Sequence, residues 1–367
     1  MSRNTKAVIN LEAIRANYRL ACETAPESQS IAVIKANAYG HGVIPVAQAL
    51  DQIAPAFAVA AIEEGLELRS TFSEKPILIL QGIQSAEDLL LASKHNLSLM
   101  IQSQAQLELL QQNTPSKPIS VWLKADTGMH RLGFPIAEIK PALNKLEALP
   151  YVQQQLTICS HFACASDPSA TLNQQQLDHF NALKTSLGTS LGTGIKYSFA
   201  NSAAILSNPD SHCDWNRPGI MLYGGAPFDD IKHGSAKQLK PAMTLTTEVI
   251  AIRNITEGET VGYGATWKAT RPSVIATLAI GYADGYSRHT PAGTPVAINN
   301  QIASLVGRVS MDMITVDITD LDKVKIGDTA ELWGEQVSIN TVAELSGTIS
   351  YELMTSISKR VPRFYIN

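Results

Sequence analysis

Eight short apolar segments alternate with helix-patterned segments through residues 8–232, and the rest of the chain, to residue 367, is a series of strand-like runs broken by glycine turns. The first observation predicts an α/β fold, an N-terminal (β/α)8 TIM-type barrel. The second predicts a C-terminal β-rich domain. A third separates the barrel from an open doubly wound sheet, because no GxGxxG phosphate turn follows any of the strand candidates. Those candidates are residues 31–35, 57–61, 77–81, 97–101, 119–124, 156–161, 196–199 and 213–217. Helical spacing marks 63–69, 86–93, 104–111, 136–149 and 172–187. Residues 231–241, polar and containing Gly234 and Pro241, read as a linker. Beyond it, 243–252, 274–280, 302–309, 314–318 and 330–332 read as strands. Gly258, Gly264, Gly285, Gly293, Gly307 and Gly327 read as turns between them. Helix is expected there only around 341–345 and 354–358. The early segment 6–10 is strand-like and is expected to pair with this second domain, which then comprises 241–367 with strand 1–10.

The chain is 45% hydrophobic and 17% charged over 367 residues, enough for two domains with substantial cores. A net charge of −4 with no basic block leaves nucleic acid without an electrostatic footprint. No apolar stretch approaches the roughly 18 residues that a bilayer span needs. The start, MSRNTK, runs into no hydrophobic signal region, so a cytoplasmic location is expected. Cys22, Cys159, Cys164 and Cys213 form no CxxC pair, and the histidines form no HExxH pattern. Free thiols and no catalytic metal are expected.

In a barrel of this kind the chemistry sits at the C-terminal strand ends. Polar residues gathered there are Lys35, Lys124, His161 and Arg217, with Asn201 and Ser202 just after the seventh strand. Lys35 ends an apolar run and opens a small glycine-bearing loop. An amine held there, partly desolvated, forms Schiff bases with aldehydes. The plainer alternative is a snorkelling lysine at a strand end. Asn201 and Ser202 look like the opening of a helix, offering a hydroxyl and free N–H groups to an anion. Gly219, after Arg217, allows close backbone approach.

The segment AVIKANAYGHG at 32–42 strongly resembles the pyridoxal-phosphate lysine segment of bacterial alanine racemases, and the resemblance runs from about Val8 to Phe364. It implies a pyridoxal 5'-phosphate enzyme that interconverts L-alanine and D-alanine as a homodimer with shared active sites, supplying D-alanine for peptidoglycan. Lys35 would carry the cofactor. Ser202, Gly219, Ile220, Tyr39 and Tyr351, the last in ISYE at 349–352, would hold its phosphate. Arg217 would face the pyridine nitrogen. An arginine does not give up its proton, so the ring nitrogen stays unprotonated, which weakens the ring as an electron sink and suppresses transamination.

Racemisation also needs an acid–base on the opposite face of Cα. The segment VGYGATW at 261–267 resembles the family's catalytic tyrosine motif, which implies Tyr263 from the partner subunit. Bringing a phenol from about 10 to about 7 takes roughly 4 kcal/mol. An Arg217–His161 pair, with His161 bonded to the phenolate, is the expected source. In VWLKADTGMHRLG at 121–133, Arg131 would hold the substrate carboxylate. Lys124 matches a position that is often carbamylated, and a carbamate would orient Arg131. An ordinary Lys124–Asp126 pair is the alternative. GYADGY at 281–286 and GRVSMD at 307–312 match segments of the access channel and inner wall. Met311 would contact the carboxylate from the other subunit, while Tyr282, Tyr286 and Asp312 would narrow the channel. One departure stands out: Ser198 occupies a position where some members carry histidine, which bears on the support of Arg217.

Three rivals are separated by residues or by substrate. A basic amino-acid decarboxylase of the same fold would place an acidic residue where Arg217 stands. A broader racemase would turn over serine or lysine. A non-catalytic pyridoxal-phosphate carrier would lack counterparts of Tyr263 and Met311.

Overall fold

The protein was analysed as a computed structural model that describes residues 4–188 and 194–367. The eight apolar segments form one ring of parallel strands: Phe57–Val59, Ile77–Ile79, Ser98–Ile101, Val121–Asp126, Thr157–Cys159, Lys196–Asn201, Trp215–Arg217 and a first segment split into Gln29–Ser30 and Ala32–Val33. The split segment completes the ring. Gln29–Ser30 pairs with Trp215–Arg217, and Ala32–Val33 with Phe57–Val59. Its N–H groups alternate between the two neighbours, from Ile31 to Asn216 O at 2.9 Å and from Ala32 to Ala56 O at 3.1 Å. Strands such as Phe57–Val59 and Ile77–Ile79 read as unbroken apolar runs because the barrel interior and the helix layer cover both faces. Phe57, Ala58, Val59, Ile77 and Ile79 are all fully buried.

The helices between strands follow local start and stop signals. Ala86–Lys94 is an example. Ser85 Oγ accepts from Asp88 N at 3.1 Å, and the Asp88 carboxylate accepts from Ser85 N at 3.0 Å. The acids lie in its first turn and Lys94 in its last, as the helix dipole favours. Leu89 and Ala92 carry its buried face.

The second domain is a mainly antiparallel sheet that also closes on itself. The order runs Ser273–Leu278, Ile314–Asp317, Gln301–Val306, Pro295–Ile298, Thr329–Trp333 and Met243–Ile255, and the last pairs back with the first. The early strand Lys6–Asn10 joins it, antiparallel to Met243–Ile255 and parallel to Arg363–Ile366. One contiguous apolar core runs through both parts.

Several boundaries differ from the sequence reading. The first strand stops at Val33, two residues before Lys35. The fifth starts at Val121 and runs on to Asp126. The expected linker at 231–241 contains a 3-10 turn, Gly234–Gln238. The last helix is Ser350–Ser356, not 354–358, because Ile349, still extended, is its N-cap and Ile357 leaves the helix. The strands Pro295–Ile298 and Arg363–Ile366 were not anticipated. Each is short, and the second carries a mostly exposed face. The glycines at 258, 264, 285, 293, 307 and 327 all adopt positive φ, as turn residues do. No helix among the described residues is long and apolar enough to cross a membrane.

Candidate active site

Lys35 does not end the strand. It opens a turn in which Ala36, Asn37, Ala38 and Tyr39 all sit in the left-handed region, with φ of 52°, 53°, 53° and 51°. L-residues resist this by roughly 1–2 kcal/mol each, so the surroundings must enforce it. Ala38 N bonds Ile34 O at 2.9 Å and Gly40 N bonds Ala36 O at 3.0 Å. Asn37 Oδ1 accepts from Val43 N at 2.8 Å. The turn delivers Tyr39 inward, where it stacks on Tyr223 at 4.7 Å and lies 6.0 Å from the ring of Tyr351.

The C-terminal mouth of the barrel holds a cleft of about 1200 Å³. Lys35, Lys124, Arg131, His161 and Arg217 line it, together with Tyr39, Asn201, Ser202, Gly219, Ile220 and Tyr351. Four cationic side chains and one imidazole around one cavity make it a receptor for a small molecule carrying phosphate or carboxylate.

Burial sets the protonation states. It lowers the Lys35 amine, with Arg131 adding to the effect and Glu64 opposing it. It lowers Lys124 as well; Cys159 opposes that, while Arg217 and Arg131 reinforce it. His161 falls well below its ordinary value through burial and then through Arg217, Lys124, Arg131 and Lys35, so it is a neutral imidazole. Tyr39 and Tyr351 are pushed up by burial and stay protonated, able to donate from their hydroxyls.

Arg217 is held from three sides. It donates to the Ser198 hydroxyl, to Ser160 O at 2.5 Å and to Phe199 O at 3.2 Å, and it lies 3.4 Å from His161 Nδ1. Ser198, the departure noted in the sequence, is fully buried and contacts Arg217 directly.

Ser202 and Gly219 form the opposite wall. The cap of the short helix Ser202–Ser207 is the Asn201 side chain, which accepts from Ala204 N at 3.1 Å. Ser202 Oγ instead accepts from Gly219 N at 2.8 Å and Met221 N at 3.4 Å. Gly219 N–H, expected to face an anion, is therefore spent on Ser202, while the serine proton remains to be donated. A Cβ on Gly219 would stand 2.7 Å from Tyr39 Oη. Three hydroxyls, from Tyr39, Ser202 and Tyr351, border this corner of the cleft.

The alternative of a Lys124–Asp126 pair gives way to another set of contacts. Lys124 makes no pair with Asp126 among the described residues. The Asp126 Oδ1 accepts from Gly128, Met129 and His130 N–H at 3.0, 3.1 and 3.1 Å, folding the loop that ends at Arg131.

Tyr263, Met311, Asp312 and Tyr282 lie outside the cleft, on the second domain. Tyr263 is 68% exposed and Met311 54%. Asp312 accepts from Arg360 at 2.7 Å. Tyr282 borders a separate cavity with Arg288. Tyr286 is fully buried and stacks 6.0 Å from Trp333, so it is core and does not narrow a channel.

Sequence reasoning missed Glu64. Its Oε1 accepts from Ala36 N at 2.6 Å, next to Lys35. A glutamate at the third position of a helix, reaching back past its start, is a legible capping signal. Its longer reach to residue 36 is tertiary and has no local signature.

Residues 9–227 match the family described as alanine racemase, N-terminal domain, and residues 242–365 match alanine racemase, C-terminal domain. The chain is 46% identical over 359 residues to the biosynthetic alanine racemase of Pseudomonas aeruginosa, covering 98% of each. It is 45% identical over 363 residues to the alanine racemase of Stutzerimonas stutzeri, with 98% of each covered. The crystal structure of the P. aeruginosa enzyme superposes with a TM-score of 0.94 over 100% of both chains. The alanine racemase of Bartonella henselae, solved with covalently bound pyridoxal phosphate, superposes with a TM-score of 0.88 at 35% identity, covering 99% of each. A match across both domains, with every barrel-borne residue of the resemblance lining one cleft, has a single meaning: the chain belongs to the alanine racemase family.

Proposed function

We propose that the protein is a pyridoxal-phosphate-dependent alanine racemase that acts as a homodimer with composite sites, located in the cytoplasm and supplying D-alanine for peptidoglycan. The observation that carries this is the pairing of a partly desolvated Lys35 with a buried Arg217 across one cationic cleft. The residues present fit the cofactor. Lys35 offers a primary amine to its aldehyde. Tyr39, Ser202 and Tyr351 offer hydroxyl protons to its phosphate, and Gly219 leaves the space that a methyl group would fill. Arg217 offers a permanent cation to its ring nitrogen. When bound, the cofactor supplies conjugation that makes the Cα proton of alanine removable.

The chain's own residues supply the rest. Arg131 takes the substrate carboxylate, on a loop braced by Asp126. The Lys35 Nζ exchanges a proton at the D-alanine face of Cα. On the L-alanine face, Tyr263 of a second copy exchanges the other, with Met311 of that copy beside the carboxylate. The second domain, residues 241–367 with strand 1–10, thus completes the partner's site, while 8–232 forms the barrel that binds the cofactor. What supports the crossing is exposure: a tyrosine between two glycines points outward, away from any site in its own chain. His161, neutral beside Arg217, keeps an imidazole available to bond that phenol. Lys124, its ammonium disfavoured, is a substrate for carbamylation, and the anion would steady Arg131.

Full-length protein loaded with pyridoxal phosphate and reduced with borohydride should carry the label on the Lys35 peptide, and unreduced protein should racemise alanine. Label on another lysine, or loaded protein that leaves L-alanine unchanged, would rule the reading out. Serine and lysine run alongside alanine separate a broad racemase from a selective one.

A further inference from the structure

Glu64 lies at the third position of the helix Ile62–Arg69, outside the cleft-lining set. One oxygen of its carboxylate accepts from Ala36 N at 2.6 Å, and the other accepts from Ala60 N at 2.7 Å and Ala61 N at 3.3 Å. One side chain therefore ties the residue after Lys35 to the end of the adjacent barrel strand. At the far end of the same turn, His41 Nδ1 lies 3.1 Å from Ala38 O and 3.0 Å from Tyr39 O. Two carbonyl partners require that nitrogen to carry the proton. His41 is fully buried, and burial pushes it down to about 4, which keeps it neutral in this role. Between Glu64 and His41 sit the four left-handed residues 36–39. A backbone conformation that the chain resists is thus fastened at its first amide and its last carbonyls, and Lys35 is the residue on which it is mounted.

We propose that Glu64 and His41 are positioning residues for Lys35: they clamp the left-handed turn at both ends and so aim the amine into the cleft. The inference rests on the reading of Lys35 as the cofactor anchor. It accounts for why so unfavourable a turn stands beside the reactive lysine. A relaxed, right-handed continuation would point the side chain elsewhere and pull Tyr39 off Tyr223. A misplacement of about 1 Å in a reacting group costs about 10²-fold in rate.

The test is the rate at which full-length protein, stripped of cofactor, takes up pyridoxal phosphate at Lys35. In that step the lysine nitrogen bonds the aldehyde carbon and one water leaves; borohydride traps the product for mass analysis of the Lys35 peptide. Glu64→Ala should load at least about 10-fold more slowly. His41→Leu should do the same, whereas His41→Asn, whose amide can replace the Nδ1 proton donor, should recover most of the rate. Folded Glu64→Ala protein that loads at the parent rate overturns the proposal. Should that variant not fold, Glu64→Gln serves, since three N–H groups share the two carboxylate oxygens and the amide sets a donor where one oxygen stood; parent-rate loading there overturns it equally. A second readout separates aim from mere stability. Cα-deuterated alanine should show an enlarged isotope effect in Glu64→Gln from the D-isomer only. Equal slowing from both isomers with no change in either isotope effect overturns the positioning role. Loading is measured without racemisation, so slow loading in a protein that leaves alanine untouched sinks the functional reading and leaves the clamp standing.

Discussion

The barrel mouth and the outer face of the second domain bear opposite marks of preparation. At the mouth, Arg217 is fixed by three bonds, Tyr39 by a stack and Lys35 by a strained turn, and burial has already shifted the protonation of Lys35, Lys124 and His161. On the second domain, Tyr263 and Met311 stand 68% and 54% exposed. Neither side chain is packed within its own chain, and Tyr263 stands between two glycines, Gly262 and Gly264. The difference teaches that preorganisation is concentrated at the barrel mouth; under the proposed function the exposed residues of the second domain serve the mouth of a second copy.

The largest expected effect breaks the mouth alone. Lys35→Ala removes the anchor and one of the two proton carriers, and should cut alanine racemisation by at least about 10⁴-fold in both directions. Tyr263→Phe should cost about 10² to 10⁴-fold. The comparison is sharpened by mixing the two inactive variants. In a mixed dimer one site collects both lesions, and the other unites an intact Lys35 with an intact Tyr263. Activity should return on mixing, measured by D-alanine formation after subunit exchange. Inactive mixtures with proven exchange would place Tyr263 and Lys35 in the same chain's site, against the division argued above.

Barrel strands such as Phe57–Val59 and Ile77–Ile79 were legible because they are apolar on both faces and buried. The strand Lys6–Asn10 and its docking on the second domain were equally legible from alternation, with Ala7 and Ile9 inward. Arg363–Ile366 escaped because its side chains are mostly exposed and only its backbone pairing with Lys6–Asn10 makes it a strand. At the site, residue types survived reading but backbone did not. Nothing in KANAY announces four left-handed residues, since local propensity opposes them and a tertiary bond from Glu64, with the buried His41 ring closing the turn, decides. Tyr286 misled because GYADGY looks like a rim, yet its ring packs on Trp333.

The two regions should also respond differently to acid. His41 and His161 are both depressed by burial in the folded state, His41 to about 4 against 6.5 for the free side chain. Between those values the unfolded chain binds a proton that the folded chain refuses, so stability is full above about 6.5 and is lost as pH falls toward 4. For His41 that amounts to about 3 kcal/mol at 1.36 kcal/mol per unit. Thermal unfolding followed from pH 7.5 to 4.5 should show this loss, and His41→Asn should remove much of it while leaving the second domain's acid response as it was. A parent-like acid loss in His41→Asn would shift the cause elsewhere.

The smallest effect tests how the mouth receives substrate. Asp126 accepts three successive N–H groups, from Gly128, Met129 and His130, and its other oxygen lies 3.1 Å from the His130 ring. His130 is itself in the left-handed region at φ 54°, immediately before Arg131. These bonds also hold Asp126 below the usual carboxylate range, against the opposing effect of its partial burial. Asp126→Ala leaves the loop without its acceptor, and each lost bond of this kind is worth about 1 kcal/mol. Arg131 would then pay for its own ordering when it grips the carboxylate. KM for alanine should rise about 10-fold with kcat changed far less, and cofactor loading at Lys35 should be unaffected, because Asp126 ends the strand Val121–Asp126 whereas Lys35 opens the turn Lys35–Tyr39. A fall in kcat with KM unchanged would mean that the loop shapes the reacting atoms instead of the grip on the carboxylate, and would overturn the role proposed for Arg131.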